Sequence, residues 1–230
     1  ALDVDGSVEC WGYSAADQLD VPAGVVFTQV DAGLWHSCGV DTDGAVHCWG
    51  CTNNDLGQCD TPSGTFTNVS AGQYSTCAVS SSGSVECWGC ESDRDYGQCD
   101  EPSGNFSQVS VGGVHACGVT TGGVAICWGC EENEIGQCDP WDATFERVDV
   151  GTQHSCGITA KGELYCWGQD MFGQSTPDQI FYTAFGLGHT HTCAVEEDGS
   201  ALNCVGCGPE DGEPNQGQCE APSGDFFAVD

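Results

Sequence analysis

A chain of 230 residues can bury a sizeable core, yet 19 of them are cysteine, a density that implies an oxidising compartment rather than a reduced cytosol. Asp and Glu number 35 against 3 Lys and Arg, a formal charge of −32. A surface of that sign repels phosphate backbones and anionic headgroups, so nucleic acid and bare membrane are excluded as expected partners. No apolar run approaches the roughly 18 residues of a membrane helix, and no membrane insertion is expected.

Taken from the first residue onward, the chain repeats itself. The pair Trp-Gly stands at Trp11-Gly12, Trp49-Gly50, Trp88-Gly89, Trp128-Gly129 and Trp167-Gly168, with Val205-Gly206 as a sixth, degenerate copy. Successive copies are 38, 39, 40, 39 and 38 residues apart, the signature of a repeat architecture. The expected units are 1–30, 31–69, 70–109, 110–148, 149–184 and 185–230, within one domain over residues 1–230. Each unit reads as β structure. Asp3-Val-Asp-Gly6, Asp41-Thr-Asp-Gly44, Ser80-Ser-Ser-Gly83 and Glu196-Glu-Asp-Gly199 are hairpin turns between apolar runs. A Gly-Gln-Cys loop follows, and then a Phe-x-x-Val segment such as Phe66–Val69, whose apolar and polar residues alternate as in a half-buried strand. No stretch has a capped helical period. The fold class expected is all-β, a propeller of about six blades built on repeats of roughly 39 residues.

The residues Gly33 to Cys38, Gly151 to Cys156 and Gly188 to Cys193 (Gly-x-x-His-x-Cys), Asp43 to Gly50 (Asp-Gly-x-Val-x-Cys-Trp-Gly), and Gly57-Gln58, Gly97-Gln98 and Gly136-Gln137 carry a resemblance. On them the chain resembles the regulator-of-chromosome-condensation (RCC1-like) repeat family, in a cysteine-rich variety found in secreted bacterial proteins. The resemblance covers essentially the whole chain. It implies a closed propeller, usually of seven blades, and leaves function open, since members serve as exchange factors, inhibitors and receptor ectodomains.

A full unit holds four cysteines, for which a zinc tetrathiolate, a redox Cys-x-x-Cys and two structural disulfides are the competing readings. Degenerate units favour disulfides. Gln169 and Ser175 replace two cysteines of the fifth unit while Cys156 and Cys166 stay; Tyr13 and Leu19 replace the same two in the first. The pairs expected across the hairpins are Cys38–Cys48, Cys77–Cys87, Cys117–Cys127, Cys156–Cys166 and Cys193–Cys204. Those expected around the loops are Cys51–Cys59, Cys90–Cys99, Cys130–Cys138 and Cys207–Cys219. Cys10 is left over; its partner aligns just before Ala1, as if the chain were cut from a longer polypeptide whose Phe226–Val229 strand clasps the first unit or a neighbouring molecule.

The loops closed by these pairs are acidic: Asn53, Asn54 and Asp55; Glu91, Asp93 and Asp95; Glu131, Glu132 and Glu134; Glu210, Asp211 and Glu213. Oxygen ligands on short rigid loops suit Ca²⁺, which would also relieve the repulsion, so Ca²⁺ is the cofactor weighed against a solvated acidic surface. The turn aspartates Asp3, Asp5, Asp41 and Asp43 are read as turn formers. His36, His115, His154 and His191 recur at one position, interrupted by Tyr74-Ser75, and are read as hydrogen-bonding across blades rather than as a metal ring. The repeated Trp residues are read as core, with Trp35, Tyr74 and Trp141 as candidate contacts. Asn68 and Asn105 match the N-glycosylation pattern. No nucleophile elbow, phosphate loop or clustered acid–base pair is present, and the chain is not expected to be an enzyme; a hydrolase with an unrecognised site is the third reading. The first reading is an extracellular or cell-surface structural module, self-assembling into a matrix or filament with Ca²⁺ in its loops. The second is a secreted propeller that binds another extracellular protein, as an inhibitor or receptor ectodomain does.

Overall fold

The computed structural model describes residues 1–52, 55–90, 95–130, 134–199, 201–207 and 219–220. Among them the chain forms five three-stranded antiparallel sheets and no helix. The first blade is β1 (Phe27–Ala32), β2 (Ser37–Asp41) and β3 (Val46–Trp49); the second is β4 (Phe66–Ala71), β5 (Thr76–Ser80) and β6 (Val85–Trp88). The third is β7 (Phe106–Val111), β8 (Ala116–Thr120) and β9 (Ala125–Trp128), and the fourth is β10 (Phe145–Val150), β11 (His154–Thr159) and β12 (Leu164–Gly168). The fifth is β13 (Tyr182–Leu187), β14 (Thr192–Glu196) and β15 (Leu202–Val205). Before the first blade, Leu2 bridges Val8 around a turn closed by Gly6. The Gly6 carbonyl accepts the Phe27 amide at 2.9 Å, as the Gly44 carbonyl accepts that of Phe66 at 2.7 Å.

Repeat and blade are out of phase. Each Phe-x-x-Val segment is the first strand of its blade, paired with the Cys strand that follows it, so boundaries drawn at 30, 69, 109, 148 and 184 cut through β1, β4, β7, β10 and β13. The strands are also not simple alternators. Phe66 and Val69 are both buried although three residues apart, a spacing that strict alternation would send to opposite faces. A register shift between Phe66 and Asn68 resolves the conflict: the bulge lets both residues face the neighbouring sheet, and the same shift recurs in all five blades.

The apolar core lies between consecutive sheets. Phe106, Val109 and Val111 of the third blade pack on Cys77, Val79 and Val85 of the second, and equivalent clusters fill the other three gaps. Each hairpin disulfide joins directly opposed residues, with Cα atoms 4.0–4.1 Å apart, and the Cys38, Cys77, Cys117 and Cys156 sulfurs are part of these cores. One sheet alone has too little apolar surface to be stable, so the cystine supplies packing as well as a tether.

Candidate interaction site

Most residues singled out by recurrence join one blade to the next. His36 Nε2 lies 2.8 Å from Thr76 Oγ1, His115 Nε2 lies 2.7 Å from Ser155 Oγ, and His154 Nε2 lies 3.0 Å from Thr192 Oγ1, each across a blade boundary. The Thr76 hydroxyl donates onward to the Gln58 carbonyl at 3.0 Å and Thr192 to that of Gln174 at 2.9 Å. With the hydroxyl proton committed there, the imidazole must donate from Nε2. Burial keeps the ring neutral: it pushes the His36 and His154 pKa values down to about 4 and that of His115 to about 3. Where the second blade has Ser75 in place of His, the third has Ala116 in place of the hydroxyl, so donor and acceptor are missing together.

The Gly-Gln and Trp-Gly motifs form a second joint. Gln58, Gln98, Gln137 and Gln174 are buried, and the side-chain oxygen of each accepts the amide two residues before it, at 2.6–2.9 Å. Their carbonyls then receive indole protons: Trp88 to Gln58, Trp128 to Gln98 and Trp167 to Gln137, at 2.8–2.9 Å. Gly129 permits this approach. Its φ is +88°, and a Cβ there would stand 2.9 Å from the Gln98 nitrogen.

Sequence reasoning missed a third joint, along the central funnel lined by the first strands. Gln29 bridges to the next strand as a backbone amide would, donating Nε2 to the Val69 carbonyl at 2.7 Å and accepting its amide at 2.9 Å. Gln108 does the same to Val148, Asn68 accepts from Val109, and the Arg147 guanidinium donates to the Phe185 carbonyl while lying over the Phe185 ring. Asp31, Ser70, Ser110 and Asp149 repeat the bond two residues further along. The signal was legible: the third residue of every Phe-x-x-Val segment from Gln29 to Arg147 is a hydrogen-bonding side chain, Gln, Asn or Arg.

The nine disulfides join the cysteines two by two, in the pairs read from the degenerate units, and Cys10 is the free cysteine. Of the Ca²⁺ candidates, Asn53, Glu91, Asp93, Glu131, Glu132, Glu210, Asp211 and Glu213 lie outside the described residues. Asp55 and Asp95 are exposed, and each accepts the amide two residues on, from Gly57 and Gly97 at 2.9 Å, which makes them turn formers. Glu134 is exposed. Among the described residues no three His, Cys, Asp or Glu side chains converge on one point. Asp41 is spent on its hairpin: Oδ1 accepts the Asp43 and Ala45 amides and Oδ2 pairs with His47, which holds the carboxyl below its usual range. Asn68 is tied into the funnel joint, whereas Asn105 is exposed at the entry to β7.

Sheets arranged in this way, each bonded to the next along its inner strand, define a β-propeller. The chain is a cysteine-rich propeller, and three stretches of it, residues 27–58, 66–98 and 145–174, match the model of the regulator of chromosome condensation (RCC1) repeat. No curated protein sequence matches significantly. Among solved structures, the CRINKLY WD40 ectodomain of the Arabidopsis thaliana receptor kinase ACR4 is similar over 95% of this chain and 76% of its own, with 26% identity and a TM-score of 0.71. The ectodomain of the Physcomitrella patens receptor kinase CR4 is 22% identical over 90% of this chain, with a TM-score of 0.75, and yeast RCC1 (Prp20), solved bound to Kap60, is 17% identical over 79%, with a TM-score of 0.62. This chain spans 59% of the CR4 chain and 56% of the yeast chain.

Proposed function

We propose that the chain is an extracellular interaction module that binds another protein through side chains displayed around a fixed propeller. The observation that carries this reading is the use of the recurrent chemistry. The buried His, the Gln, the core Trp and all but one of the Cys residues are consumed in joining or stapling blades, so recognition falls to exposed residues that differ from blade to blade. Nine disulfides favour an oxidising exterior, and the likeness to a receptor-kinase ectodomain supports both the setting and the role.

The finer reading, self-association into a filament with Ca²⁺ in the acidic loops, is supported by loop composition and by the charge of −32. Electron microscopy and sedimentation of native material, with Ca²⁺ and then with chelator, separate the two. A monodisperse particle indifferent to chelator is expected for the protein-binding module. Fibres that dissolve in chelator would replace it with the self-assembling one, and free thiols in unreduced peptide maps would remove the extracellular setting from both.

A further inference from the structure

One groove sits apart from the joints described above. It lies over β12, the outermost strand of the fourth blade, between the linker that enters the blade and the linker that leaves it, and encloses about 510 Å³. Trp141 and Tyr165 form one wall, with ring centroids 5.9 Å apart and planes inclined at 45°; Pro177, Ile180 and Phe181 form the other. Glu163 stands between them, bridged to Phe181 across the backbone, with one carboxylate oxygen accepting from Thr159 at 3.3 Å.

The repeat allows this composition to be judged against the other blades. The position of Trp141 is proline in two other linkers, at Pro62 and Pro102. Ile180 replaces Gly64 and Gly104, and Phe181 replaces Thr65, Asn105 and Thr144. Tyr165 stands where other blades have His47, Glu86 and Ile126, and Glu163 where they have Ala45, Ser84 and Val124. Four large apolar residues and a carboxylate thus depart from the repeat together, around one concavity. Tyr165 packs on Phe145 of the neighbouring core, but the other three apolar residues are not needed to close one: Trp141 is 57% exposed, Phe181 49% and Ile180 40%. An apolar cluster left open in this way is a mark of recognition. The outgoing linker also belongs to a loop that carries no disulfide, because Gln169 and Ser175 stand in place of its cysteines.

We propose that this groove receives a cationic side chain, arginine or lysine, of a basic polypeptide partner. Tilted aromatic rings present their negative faces to a cation, and Trp is the strongest such platform. Glu163, in the lining, supplies the counter-charge. The molecule as a whole concentrates cations, with 35 acidic residues against 3 basic ones, so long-range steering and the local site have the same sign. The volume holds one long side chain with its flanking backbone. The proposal rests on the protein-binding reading and names the chemistry of the partner.

The test uses a flexible Gly-Ser dodecapeptide carrying three arginines, and its citrulline counterpart, titrated into the whole chain at 0.15 M salt by fluorescence anisotropy. Binding of the arginine peptide is expected to exceed that of the citrulline peptide at least tenfold. The double variant Trp141→Ala, Phe181→Thr keeps the net charge and is expected to weaken arginine binding about tenfold, and Glu163→Gln about threefold. Equal binding by wild type and double variant would reduce the attraction to the diffuse acidic field and overturn the site, as would equal binding of the two peptides. The indole N–H resonance of Trp141 gives a readout on the unaltered protein: it is expected to shift on titration, and a stationary resonance overturns the proposal. A double variant that still captured a native protein partner would leave the protein-binding reading standing while the groove lost its role.

Discussion

The loops after the first and fourth blades occupy equivalent places and are closed by different means. After the first blade, Cys51 and Cys59 are bonded, with their Cα atoms 6.2 Å apart. After the fourth blade, Ser175 stands for the second cysteine. Its hydroxyl donates to the carbonyl of Gln169, which stands for the first, at 2.8 Å, while its amide donates to Asp170 at 2.9 Å. Gln58 and Gln174, the buried glutamines of the two loops, keep the same bonds to backbone in both. The loop disulfide is therefore an accessory and the glutamine joint is the invariant. A loop held by hydrogen bonds alone tolerates the departures in sequence that line the groove over β12.

The comparison is broken most severely at the hairpins. Replacing Cys117 and Cys127 by Ala removes a tether worth about 3 kcal/mol in the chain-entropy model, together with the core packing of the buried Cys117 and the partly buried Cys127. The same change at Cys51 and Cys59, closing a loop of similar length, is expected to cost about 2.5 kcal/mol and no core packing. Denaturant unfolding of the two variants measures the difference.

Next in size is a pH effect confined to the histidine joints. An imidazole of pKa about 4 when folded and about 6.5 when unfolded contributes its full stability above pH 6.5. As pH falls below that value the unfolded chain takes up a proton that the folded one refuses, so the contribution fades toward pH 4. Between pH 7 and 5, each such histidine is expected to remove about 2 kcal/mol. Unfolding curves of wild type and His154→Gln should converge by that amount as pH is lowered. Parallel curves would mean that the imidazole is charged or solvated in the folded protein.

The smallest expected change runs in the opposite direction. Gln169→Cys with Ser175→Cys restores the missing staple and should stabilise the fifth unit's loop by about 1 kcal/mol, less than the chain-entropy value of roughly 2 kcal/mol because the loop is already hydrogen-bonded. Under reducing conditions the gain should vanish.

Much of this architecture could be read from the chain because repetition exposes pairs. Replacement of two cysteines together by Gln169 and Ser175 identified one cystine, and the retained Cys156 and Cys166 the other. The same reasoning applies to His and hydroxyl, since Ser75 and Ala116 mark a boundary where both are absent; that pair went unread because its members lie 41 residues apart in different blades. The groove was legible only as the oddity of Trp141. Nothing in the order of residues says that Glu163, Tyr165 and Phe181 gather around it, because they come from a strand and from the linker beyond it.

Repeat length, β character, sulfur pairing and the sign of the surface charge are properties of the chain by itself, since each depends on residues within one forty-residue unit or on a simple sum. The phase of the blades, the bulge that turns Phe66 and Val69 to one side, the funnel bonds from Gln29 to Arg147 and the groove over β12 were decided by tertiary structure. All four arise where one sheet meets the next. Along the inner strands side chains make the bonds from blade to blade, backbone doing so only just beyond their ends, where Leu34, Gln73 and Gly113 donate to Gly72, Gly112 and Gly151, and which side chains meet depends on how neighbouring blades are inclined.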